Sequence, residues 1–118
     1  MKPNQVKDKS YQFALRIIRL CKQVREKHKE YHVTGQLLRS GTSIGANVEE
    51  ANAGQSKKDF TAKMSIASKE ARESHYWIRL LTDSDYLEKD MAKSVLSDCD
   101  ELIRLLTSIV KTAQARQC

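Results

Sequence analysis

A chain of 118 residues with 21 Lys+Arg against 15 Asp+Glu, one proline and four glycines has the length of one domain and few helix breakers. It contains no run approaching the roughly 20 apolar residues that cross a bilayer, and Met1-Lys2-Pro3-Asn4-Gln5 lacks the apolar stretch of a secretory signal, so a cytoplasmic protein is expected. Three cysteines, Cys21, Cys99 and Cys118, form no CxxC pair, which argues against a disulfide framework or zinc site.

The spacing predicts a first helix over residues 9–29, with Phe13, Ile17, Leu20, Cys21 and Val24 on one apolar face. The net charge of +6 is concentrated here: residues 1–39 hold ten Lys/Arg against three Asp/Glu, whereas the rest of the chain is close to balanced. Arg16, Arg19, Lys22, Arg25, Lys27 and Lys29 are the candidate contacts to nucleic-acid phosphates. Leu15 falls within the polar arc of this helix, which suggests a subunit contact. Residues 30–34 are expected to turn the chain.

A second helix, residues 35–53, carries Leu37, Leu38, Ile44, Val48 and Ala51. Gly41 and Gly45 stand four apart within it, and each costs about 1 kcal/mol relative to Ala in a helix interior. Close backbone approach by a neighbouring helix is the compensation expected. Asn52-Ala53-Gly54-Gln55 supplies a stop, and Ser56 with Asp59 resembles a capping box.

The third helix, residues 57–82, has two apolar stripes where a monomeric bundle needs one. Phe60, Met64, Ala67, Ala71 and Ile78 form the first. Ala62, Ile66, Trp77 and Leu80 form the second, so Ile66, Trp77 and Leu80 join Leu15 as candidate oligomer-interface residues. Asp83-Ser84-Asp85 ends the helix and offers N-cap oxygens to the next. The fourth helix, residues 87–115, places Met91, Val95, Cys99, Leu102, Leu106, Ile109 and Ala113 on one face, a bundle-core pattern. Short connections then predict an all-α, antiparallel up-down-up-down four-helix bundle filling residues 1–118 as one domain.

Two blocks of residues resemble a known family. Leu38-Arg39-Ser40, Ser43-Ile44, Ala46-Asn47 and Glu50 form the first. The second runs from Lys57-Asp59-Phe60 through Ala67 to Lys69-Glu70-Ala71-Arg72-Glu73-Ser74-His75-Tyr76-Trp77-Ile78-Arg79-Leu80-Leu81. On these the chain is identified as a member of the 23S rRNA intervening-sequence protein family, although Ala51 stands where members often carry Gly. Members are similar to the accessory protein of diversity-generating retroelements, which is associated with nucleic acid and a reverse transcriptase. The resemblance implies a homopentameric ring of four-helix bundles with no established enzymatic activity.

No reaction is legible in the residues. A di-metal bundle site needs Glu-x-x-His steps, but Arg25, Lys29 and Arg72 stand three before His28, His32 and His75, so no metal or other cofactor is expected. Ser40, Thr42 and Ser43 have no neighbouring histidine, and Ser40 to Gly45 lacks the spacing of a phosphate loop. Arg39, Ser43, Asn47, Glu50, Glu70 and Glu73 are assigned to a polar network joining the second and third helices, or to a partner site on the assembled ring. These features predict a non-enzymatic protein that binds RNA or DNA backbone. The alternative is a scaffold for an unidentified protein partner.

Overall fold

The computed structural model describes residues 3–54 and 56–117, which leaves Gln55 of the stop segment and Cys118 outside the described residues. Four helices follow in order: α1 Pro3–His28, α2 His32–Asn52, α3 Lys57–Asp83 and α4 Lys89–Gln117. Across each interface the partner's number falls as the first rises. Lys9 meets Glu101 and Arg16 meets Asp98; Arg39 meets Glu70 and Glu50 meets Lys63. Neighbours are therefore antiparallel, and the protein is an all-α four-helix bundle measuring 48 × 21 × 19 Å. Each helix packs on two others, with α1 diagonal to α3 and α2 to α4, and α1 touches α4 most sparsely.

Helix α1 begins six residues before the expected Lys9. Pro3 fixes a helical φ without needing a donor, and Val6 and Ser10, both fully buried, extend the stripe of Phe13 and Ile17 backwards. Lys29, at φ 57, ends α1 in the left-handed region, an uncommon conformation for a side chain with a Cβ. Helix α2 starts at His32 rather than Gly35 because the Glu30 carboxylate accepts from the amides of His32, Val33 and Thr34 at 2.9–3.1 Å. That one side chain satisfies three of the donors a helix start leaves open.

Small residues in α2 serve two neighbours. A Cβ on Gly41 would lie 2.9 Å from Ile17 Cγ2, and one on Gly45 would stand 3.4 Å from the Ser10 carbonyl, so α1 approaches through both glycines. On the other side Ser74 Oγ of α3 donates to Ser40 Oγ at 2.9 Å. Ser56 Oγ caps α3 by accepting from the Asp59 amide at 3.0 Å.

The Asp83-Ser84-Asp85 segment does not cap α4, which starts at Lys89 rather than Leu87. Instead it closes α3: Asp85 takes φ 68, while Asp85 N–H donates to the Thr82 carbonyl and Tyr86 N–H to the Leu81 carbonyl, the two bonds of a Schellman motif. Tyr86 and Leu87 then fold onto the core, occupying the connection.

Candidate functional site

The bundle divides the polar set assigned to α2 and α3. Arg39 reaches across to Glu70, at 2.9 Å, and to Glu73, which also accepts from Trp77 Nε1 at 2.9 Å. Glu70 is buried at 8% exposure, so its charge needs such a partner. Asn47 instead donates to the Ser43 carbonyl within α2, at 2.8 Å, and Glu50 pairs with Lys63 at 3.6 Å. Asn47 and Glu50 lie about 12 and 16 Å along the helix from Arg39 at 1.5 Å per residue, too far to share its carboxylates. Among the described residues no buried side-chain nitrogen or oxygen lacks a partner.

The six cations of α1 separate in the same way. Arg16 donates to Asp98 at 2.6 Å and Ser94 at 2.7 Å on α4. Its bridge crosses a groove of about 600 Å³ between α1 and α4, floored by Phe13, Leu20 and Leu102. Arg25 donates to the Thr34 hydroxyl at 2.8 Å and lies 5.5 Å from the Tyr31 ring centre, which fixes the corner between α1 and α2. Arg19, Lys22, Lys27 and Lys29 are exposed. Five residues past Lys22, however, Lys27 points to another side of the helix.

Arg19 and Lys22 share the outer face of α1 with Tyr11 and Ile18, 55% and 47% exposed, and with half-buried Leu15. On α3, diagonally across the bundle, Ile66 and Leu80 are exposed, and Trp77 is half-buried with its edge packed on Tyr76. The two apolar faces therefore lie on opposite sides of the molecule. Tyr11 and Ile18 were not singled out in the sequence, although each lies one helical turn from Leu15.

A third surface also escaped the sequence reading. Lys69, Arg72, Tyr76 and Arg79 are all exposed along one side of α3, and Arg72 Nη2 donates to Thr107 Oγ1 of α4 at 2.8 Å. Next to them Arg104, Thr107, Ser108 and Lys111 line a shallow depression of about 440 Å³ on α4. The signal was present as helical spacing across two helices, but segment charge totals hid it.

The thiols of Cys21 and Cys99 are both buried. Burial pushes Cys21 up to about 12, with the Glu30 charge adding to it and Arg25 opposing. Burial likewise pushes Cys99 up to about 12, assisted by Asp100 and Asp98. Cys99 Sγ donates to the Ala71 carbonyl at 3.2 Å. Among the described residues no three His, Cys, Asp or Glu side chains converge on a metal position, and no helix is long and apolar enough to cross a membrane.

The family model described as 23S rRNA-intervening sequence protein matches residues 2–108. A crystal structure from Bacteroides thetaiotaomicron VPI-5482, described as a protein with unknown function from the S23 ribosomal protein family, is 47% identical. The match covers 90% of this chain and 98% of that one, with a TM-score of 0.88. No curated protein matches the chain.

Proposed function

The chain belongs to the 23S rRNA-intervening sequence protein family, and from that premise we propose that it is a non-enzymatic, cytoplasmic, ring-forming protein that holds RNA or DNA by its phosphate backbone. The observation that carries the reading is the placement of two unlike apolar faces on diagonally opposed helices, Tyr11, Leu15 and Ile18 on α1 and Ile66, Trp77 and Leu80 on α3. A face that met its own copy would give a closed dimer. Two different faces on opposite sides join head to tail and close into a ring when the rotation allows. The homopentamer expected from the family resemblance is such a closure.

Arg19, Lys22, Lys27 and Lys29 supply the backbone contacts on each subunit, since none has an acidic partner within ion-pair distance among the described residues. Arg16 and Arg25 hold helices and loops in place. Repetition around a ring strengthens a field that is weak in one copy. The buried thiols are protonated, and the Thr42, Thr61 and Thr82 hydroxyls donate to carbonyls one turn back, which supports a binding role over nucleophilic chemistry.

Light scattering of the purified protein, with and without a generic structured RNA at two salt concentrations, tests the reading. A five-chain mass is expected, with an RNA complex that dissociates as salt rises. A ring indifferent to RNA at low salt would shift the function to a protein scaffold.

A further inference from the structure

The outer face formed by α3 and α4 has a composition that α1 lacks. Lys69, Arg72 and Arg79 on α3 and Arg104 and Lys111 on α4 are exposed, and among the described residues none of the five makes an ion pair. The nearby acid Asp100 is already engaged, 3.1 Å from His75 Nε2. Thr107 and Ser108 add hydroxyls between Arg104 and Lys111, and the bond from Arg72 to Thr107 joins the two helices into one surface.

Tyr76 stands among these cations, 48% exposed. The Arg79 guanidinium carbon lies 5.8 Å from its ring centre, and Trp77 packs against it edge to face with centres 4.9 Å apart. Arg79 is anchored in turn by donating to His75 Nδ1 at 3.1 Å. The ring is therefore held in place and still presented to solvent. An aromatic face bordered by unpaired cations matches a strand whose bases are free to stack while its phosphates are neutralised alongside. A duplex offers the phosphates without the free base.

We propose that the α3–α4 face binds single-stranded polynucleotide, with an unpaired base stacked on Tyr76 and phosphates held by Arg72, Arg79, Arg104 and Lys111. This rests on the nucleic-acid reading above, but assigns it a different surface and a preference for unpaired strands. Arg104 and Lys111, seven residues apart, stand about 10.5 Å from each other along the helix and provide a track rather than a single anion pocket.

Fluorescence anisotropy with labelled oligo(U), oligo(dT) and a DNA duplex of equal length provides the test. Either single strand should bind more tightly than the duplex. Tyr76→Phe should bind as wild type, Tyr76→Leu should weaken binding about tenfold, and Arg72→Glu with Arg104→Glu should abolish it at moderate salt. Circular dichroism checks that these exposed substitutions leave the bundle folded. Equal binding by Tyr76→Leu, or a duplex bound as well as the strands, would overturn the proposal. If Arg19→Glu with Lys22→Glu abolishes binding while the α3–α4 variants do not, this site is wrong and the backbone reading survives. If wild type binds no nucleic acid, both fall.

Discussion

Gly41 and Gly35 lie in the same helix and make opposite predictions. Alanine gains about 1 kcal/mol of helix propensity over glycine at either site, but at Gly41 its Cβ would press within 3.0 Å of two Ile17 carbons. Overpacking of that kind costs about 1–3 kcal/mol. At Gly35 the nearest atom is the end of the Arg25 side chain, 3.6 Å away. Urea unfolding should therefore show Gly41→Ala less stable than wild type and Gly35→Ala equal or more stable; a stabilised Gly41→Ala would refute the close approach of α1 and α2. Glu30 makes a pH-dependent prediction. Burial pushes its carboxyl up, but the Val33, Thr34 and His32 amides and the Thr34 hydroxyl outweigh that and hold it below the unfolded value of 4.5. A carboxyl with a lowered folded value contributes stability above its unfolded value and loses it as pH falls through the folded one. Glu30→Gln should lower Tm near neutrality, and the gap from wild type should close as pH drops below 4.5. A gap that stays constant with pH would remove the capping role of the charge.

At the scale of elements, helices were legible where apolar spacing persisted and less so at their ends. The α3 start was readable because Ser56 precedes it with Asp59 three residues on, a local signal. The α2 start was not, because its donors are satisfied by Glu30, a residue the pattern places in a turn. The first turns of α1 were missed because Val6 is a lone apolar residue until Ser10 is known to be buried beside Gly45. Arg39, Glu70 and Glu73 could be grouped from sequence since all are polar residues near helical cores, but which α2 residue meets those two acids depends on the register between α2 and α3, which sets Arg39 beside them and Glu50 beside Lys63. The register between α3 and α4, set where Arg72 meets Thr107 and His75 meets Asp100, makes the basic face that neither helix reveals alone. The unpaired apolar faces yield an element-level prediction. Ile18→Glu on α1 and Ile66→Glu on α3 alter side chains 47% and 43% exposed, so each should leave the helical circular dichroism unchanged while reducing the mass in solution. A variant that keeps the wild-type mass would show that its face is not an interface.

For the molecule as a whole, α1 and α3 occupy opposite corners of the bundle, so a neighbour on one face leaves the other available for the next subunit. This separates head-to-tail assembly from a two-fold dimer, in which one patch meets its own copy. The exposed cations likewise fall into two sets: Arg19 and Lys22 lie on the outer face of α1 beside Leu15 and Ile18, while Arg104 and Lys111 lie on α4. The most direct measurement is light scattering of Ile18→Glu and Ile66→Glu, separately and mixed in equal amounts, beside wild type at the same micromolar concentration. Head-to-tail closure predicts a wild-type ring, two monomeric variants, and a mixture that forms pairs, because each variant supplies the face the other lacks. A monomeric wild type, or a mixture that stays monomeric while the wild type assembles, would contradict it.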